Sequence, residues 1–176
     1  MATLTKAEIR SALERLGALA AARGVELRLL LVGGALMALA FDARDSTKDV
    51  DAIALDAAST SALRDLVGLV AEEYGWPADW LNDGAKGYLV GISDGPVVLA
   101  FPGIEVRRPG ASQLLAMKLC AWRDDVDVSD ARILLQETMG LGAKEVVWGA
   151  VSRFLPPGTE LKAQYAFDDL WEEAHG

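Results

Sequence analysis

Cysteine, histidine and positive charge are all scarce in this chain. Its 176 residues hold one cysteine, Cys120, and one histidine, His175. A single cysteine excludes an internal disulfide framework and any thiolate zinc cluster. Cys120 lies in an apolar run and reads as a small core residue. His175 is the second-last residue, a poor place for a catalytic dyad or a zinc site. Lys and Arg total 17 against 26 Asp and Glu, a formal balance of −9. Bulk charge therefore does not hold such a chain on DNA or an anionic membrane. No apolar stretch reaches the roughly 18 residues of a membrane span. The richest, Leu27 to Phe41, contains Arg28 and two glycines. The first ten residues carry Lys6, Glu8 and Arg10 in place of the apolar core of a signal peptide. The expectation is a soluble, cytoplasmic protein with no membrane partner.

What is present is apolar: 52% of residues, before 17 glycines are counted, which excludes disorder of the whole chain. Thr5 and Glu8 form a capping-box pattern ahead of Ile9, Ala12, Leu13, Leu16 and Ala20, a helix that Gly24 ends. Val25 to Val32 reads as a buried strand and Ala35 to Phe41 as a helix. Lys48 to Leu55 reads as a second strand and Thr60 to Tyr74 as a helix. Trp76 to Gly87 is loop-like. Short strands are predicted at Tyr88 to Ile92, Val97 to Phe101 and Ile104 to Arg107, punctuated by Gly95-Pro96 and Pro102-Gly103. Helices are predicted at Ser112 to Arg123, Ser129 to Met139, Lys144 to Phe154 and Glu160 to Glu173. The fold class is α/β of the α+β kind: a small mixed sheet flanked by helices over residues 1–110. A helical part over residues 111–176 belongs to the same compact unit.

Two features carry chemistry. Gly33-Gly34 sits between a strand and a helix, where a phosphate can approach the backbone and the helix start offers N–H groups. A tight turn also accounts for paired glycines. Asp49-Val50-Asp51 opens the next strand, so its two carboxylates share one face. Like charges so close repel unless something compensates. Mg²⁺ does so, since it takes one or two carboxylates plus substrate phosphates. A solvated strand end is the plainer alternative.

Together, Val32-Gly33-Gly34, fourteen intervening residues and then Asp49-Val50-Asp51-Ala52 resemble the nucleotidyltransferase superfamily of the polymerase-β fold. The run Arg44-Asp45-Ser46-Thr47-Lys48-Asp49-Val50-Asp51 is similar to the form seen in bacterial toxin-like members. Gly34 stands where many members have Ser. The third carboxylate of the family has Glu105 as its candidate here.

A second constellation follows. In Leu114 to Trp122, Lys118 is the one charge, and its helical neighbours 114, 115, 121 and 122 are apolar. Such a lysine either snorkels or meets an anion. Asp127 or Ser129 fits the start of the next helix. Ala116-Met117-Lys118-Leu119 and Asp127-Val128-Ser129-Asp130 resemble the second half of the AbiEii-type toxin signature. Trp80 to Gly87 resembles a segment of the small DUF6036 nucleotidyltransferase-like proteins.

The resemblance implies a minimal nucleotidyltransferase fold with its cleft between the halves. It implies a metal-dependent transfer of NMP from an NTP to a hydroxyl of RNA, protein or a small molecule. Asp49 and Asp51 would hold Mg²⁺ or Mn²⁺, and Gly33 and Gly34 would cradle the triphosphate. Thr47, Lys48 and Arg44 would complete the nucleotide site. Lys118 would neutralise phosphate charge, with Asp130 and Asp127 holding it or helping to deprotonate the acceptor. In toxin-like relatives the acceptor is often a tRNA 3′ end. The acidic balance counts against a long RNA here. Two other classes stand beside the enzyme: a degenerate nucleotide-binding module, and an antitoxin-like protein that masks a basic toxin partner.

Overall fold

In the computed structural model, residues 2–176 are described. The chain divides into two compact units. The first runs up to Lys86 and takes back Pro96–Arg108; the second joins Gly87–Gly95 to Pro109–Gly176.

The first unit holds β1 (Leu4–Thr5), α1 (Lys6–Ala22), β2 (Leu27–Val32), α2 (Gly33–Phe41), β3 (Ser46–Thr47), β4 (Val50–Ala54) and α3 (Ala57–Tyr74). It also holds β5 (Leu81–Asn82), β6 (Val97–Phe101) and β7 (Ile104–Arg107). Five strands form one mixed sheet in the order β5-β4-β2-β7-β6. β2 is central, antiparallel to β4 and parallel to β7. That place explains its sequence: Leu29, Leu30, Leu31 and Val32 are all buried, since both faces of a central strand are covered. Each such side chain contributes about 1.5–3 kcal/mol. α1 packs on β6 and β7, and α3 on β2 and β4. The two helices lie side by side, joined by a bidentate Arg15–Glu73 pair. The capping box is present, with Thr5 as N-cap of α1 and Glu8 reaching back to its N–H.

The second unit holds α4 (Ala111–Ala121), α5 (Asp125–Thr138), α6 (Lys144–Ser152) and α7 (Glu160–His175). α4 is its hub and touches the other three. The class is α+β: seven α-helices, a five-stranded mixed sheet and a two-stranded one among the described residues. Among them no helix is long and apolar enough to cross a membrane.

Two sequence expectations are corrected. Tyr88–Ile92 is not a strand: Gly84–Tyr88 is a 3-10 turn and Gly91 has a φ of +67°. The buried Gln113 of α4 takes up this segment instead. Its Nε2 donates to the Val90 and Gly91 carbonyls, and its Oε1 accepts from the Ser93 N–H and hydroxyl. Backbone groups satisfied by a side chain do not need a ladder. The second correction concerns α5. Asp124, not Asp127 or Ser129, caps it, accepting from the Val126 and Asp127 N–H groups. α4 ends at Trp122, whose φ is +35°, so the chain turns without a glycine and α5 starts early.

Candidate functional site

The residues singled out by sequence fall into two groups, one in each unit. The first is built around the β2–α2 junction. Val32 pairs with Asp51 across β2 and β4, and Asp51 pairs with Asn82 across β4 and β5. Asp51 therefore stands at the end of β2, beside the glycines that open α2. Gly33 has a φ of +69°, and a Cβ placed there would lie 2.5 Å from Asp51 Oδ2. Only glycine lets the carboxylate and the helix start approach so closely. A carboxylate at a helix N-terminus is favoured by the helix dipole. Val32, the N-cap of α2, offers no capping side chain.

Gly34 has a different neighbourhood. A Cβ there would meet Thr47 Oγ1 at 2.6 Å and Arg44 Nη1 at 3.2 Å. The Thr47 hydroxyl thus fills the space of a side chain at position 34. The loop that carries Arg44 and Thr47 is held from outside: β3 pairs with β1 in the register Thr5↔Ser46, and Lys6 ion-pairs with Asp42. Lys48 is exposed.

Asp49 precedes β4, and its Oδ2 accepts from Asn82 Nδ2 at 3.1 Å. The Asn82 side-chain Oδ1 in turn accepts from the Gly84 N–H at 2.9 Å. The short strand β5 that bears Asn82 is anchored by Trp80, which is fully buried and donates from Nε1 to the Val67 carbonyl. The Val50 N–H bonds back to the Trp80 carbonyl. By sequence Asn82 is a polar residue of a loop-like stretch, where entry into a site and a plain turn are both open; the structure puts its side chain on Asp49.

Glu105 does not join these acids. It pairs with Arg28 on β2, four positions from Val32, about 13 Å along the strand. It bonds Arg107 Nε at 2.7 Å, and that hydrogen bond holds its carboxyl below the ordinary range. Among the described residues no group of three His, Cys, Asp or Glu is placed to hold a metal. Asp49 and Asp51 remain a two-carboxylate set, which suits a hard cation that keeps water and phosphate ligands.

The second group lies between α4 and α5. Lys118 Nζ is 3.1 Å from Asp127 Oδ1 and 2.7 Å from Asp130 Oδ2. The lysine side chain is 14% exposed and the two carboxylates 3% and 1%. So Lys118 meets anions and does not snorkel. Asp127 Oδ2 also accepts from the Arg123 N–H at 3.0 Å and Nε at 3.2 Å. Burial pushes the Asp127 carboxyl up; the Arg123 backbone bond, Lys118 and the guanidinium outweigh it and leave it below its ordinary value. Compared with models of known protein families, with curated proteins and with solved structures, the chain matches none.

Proposed function

We propose that the Asp49–Asp51 edge and the start of α2 form a nucleotide site, and that the protein transfers NMP from an NTP to a hydroxyl. One observation carries this reading. Gly33-Gly34 and Asp49-Val50-Asp51 are fourteen residues apart in sequence, yet Asp51 lies directly on Gly33. Arg44 and Thr47 lie on Gly34, so a cation and a hydroxyl stand beside the N–H groups of the helix start. Asp49 and Asp51 would hold Mg²⁺ or Mn²⁺. When bound, such an ion supplies neutralisation of phosphate charge.

In the reaction, the acceptor oxygen forms a bond to the α-phosphorus. The bond from that phosphorus to the β-phosphate oxygen breaks, pyrophosphate leaves and the hydroxyl proton passes to water. The chain's own part is to bind and orient: Arg44 and Thr47 hold phosphate oxygens, Asn82 fixes Asp49, and Gly33 permits the approach of Asp51 to the backbone. The ion cluster accounts for Lys118 as a clamp between α4 and α5. A phosphate role for Lys118 is tested by the NTP affinity of Lys118→Met.

The test is a titration with each NTP in Mg²⁺, followed by transfer from α-labelled NTP. Binding that Asp49→Ala and Asp51→Ala abolish supports the reading; no NTP binding, or binding the double variant keeps, sinks it. A second reading is a non-catalytic nucleotide-binding module. The position of Glu105, remote from Asp51 along the sheet, favours it. Binding without transfer to any acceptor would decide for it.

A further inference from the structure

A cavity of about 590 Å³ opens along the outer side of β4 in the strand-bearing unit. Small-molecule sites commonly span about 300–1,000 Å³. β5 covers only Val50 and Asp51, so beyond Asn82 the edge of β4 has no strand beside it. The space left there is walled by Ile53, Leu63 and Val67, an apolar floor supplied by β4 and α3. Four charged groups ring it: Arg64 and Lys86, Asp79 and Asp83. Among the described residues these four form no ion pair with one another or with other side chains. Asn82 is a wall of the cavity and at the same time the residue bonded to Asp49. A molecule seated in the cavity therefore has its inner end one side chain away from the carboxylate edge.

We infer that this cavity seats the acceptor, and that the acceptor is a zwitterionic, hydroxyl-bearing small molecule with an apolar body. The inference rests on the nucleotide-transfer reading above and names its substrate class. The apolar floor takes the body, and groups of both signs meet the two cations and two carboxylates of the rim. An RNA offers only negative charge, which Asp79 and Asp83 repel. The hydroxyl passes Asn82 toward the nucleotide and reacts by the balanced displacement given above.

The experiment incubates the full chain with Mg²⁺ and ATP, GTP, CTP or UTP radiolabelled at the α-phosphate. Three acceptor pools are offered separately: a low-mass ultrafiltrate of cell extract, purified tRNA, and the protein fraction. Label is expected in a low-mass product. Thr60→Trp, at an exposed position on the cavity wall, should plug it. That variant should lower kcat/KM for the low-mass acceptor by about tenfold or more, a loss of about 1.4 kcal/mol, with NTP affinity unchanged. Arg64→Glu and Lys86→Glu, also exposed, serve if Thr60→Trp does not fold, and should show the same loss. Label in tRNA or protein alone, or full low-mass transfer in the variants, overturns the inference. Failure of wild type to bind any NTP overturns the nucleotide reading itself; NTP binding without a low-mass product overturns only the acceptor assignment.

Discussion

The Asp51 carboxylate occupies the space that a side chain at Gly33 would need, with Oδ2 placed 2.5 Å from where the Cβ would stand. Gly33 also has a φ of +69°. Gly33→Ala therefore incurs two costs. A non-glycine residue in left-handed backbone costs roughly 1–2 kcal/mol, and Asp51 must move besides. The urea midpoint should fall in Gly33→Ala, and part of the loss should return in Gly33→Ala/Asp51→Ala. Only the contact with Asp51 is relieved in the double variant; the backbone cost stays. Equal midpoints for the single and double variants would show that Asp51 does not press on Gly33.

Gly34 offers a separable case. Its added Cβ would meet the Thr47 hydroxyl at 2.6 Å, so Gly34→Ser and the native Thr47 compete for one space. Gly34→Ser alone should lose stability. Thr47→Ser, which keeps the hydroxyl, should not relieve it, whereas Thr47→Gly should. The coupling in the cycle Gly34→Ser with Thr47→Gly should fall in the range of about 0.5–3 kcal/mol found for residues in contact. Additive effects on thermal denaturation would remove the contact from the account.

How much of this was legible in the sequence follows from what each signal depends on. Val97–Phe101 and Ile104–Arg107 are strands as predicted, because Pro and Gly bound them and the pattern between is short-range. The pairing of Gly33 with Asp51 was legible only as a motif; its geometry depends on the register Val32↔Asp51. Tyr88–Ile92 has the composition of a strand, but Gln113, more than twenty positions on, takes its carbonyls. A side chain reaching back from a later helix leaves no mark on local periodicity. Glu105 shows a like limit: strand register, which the local sequence does not carry, sets it opposite Arg28. For Lys118, helical spacing showed only apolar neighbours and so left open whether it snorkels or meets an anion. Asp127 and Asp130 as its partners, on the next helix, were implied by the resemblance alone.

The cluster around Lys118 predicts a clear response to charge removal. Lys118→Met leaves Asp127 and Asp130 buried without their ammonium. Breaking a buried pair from one side costs about 3–5 kcal/mol. Replacing both sides, as in Lys118→Met/Asp130→Leu, should cost much less than Lys118→Met alone. Chemical denaturation of the three proteins checks this; a Lys118→Met variant as stable as wild type would mean that the carboxylates are not held by the lysine.

Acid stability should report the same cluster through Asp127. Its folded-state carboxyl lies below its ordinary value, since the bonds from Arg123 and Lys118 outweigh burial. A group lowered on folding stabilises the protein above its unfolded pKa, near 3.9 for an aspartate. That contribution disappears as pH falls through the folded value. Wild type should therefore lose stability below about pH 4. Arg123→Ala, which removes the guanidinium but keeps the backbone N–H and Lys118, should flatten that acid limb in part. Denaturation midpoints taken from neutral to acid pH measure the slopes; equal slopes for the two proteins would exclude the Arg123 guanidinium as a contributor to holding the Asp127 carboxyl down.

Gln113 holds the loop from Val90 to Ser93 in place. The side chain is fully buried and satisfies four groups of the segment Val90 to Ser93, while the Ser93 hydroxyl accepts from the Gly110 N–H. Removing the amide leaves those backbone groups to find water or remain unpaired, at about 1–3 kcal/mol for each that stays buried. Gln113→Leu keeps the bulk and removes every bond, so its effect isolates the polar term. Amide hydrogen exchange should accelerate at Ser93 and Gly110, the two N–H groups whose acceptors are lost or loosened. The N–H of Leu119, deep in the same helix, should keep its protection. Uniform acceleration across α4 would instead mean that Gln113 supports the whole helical unit, because only global opening exposes a buried helix amide.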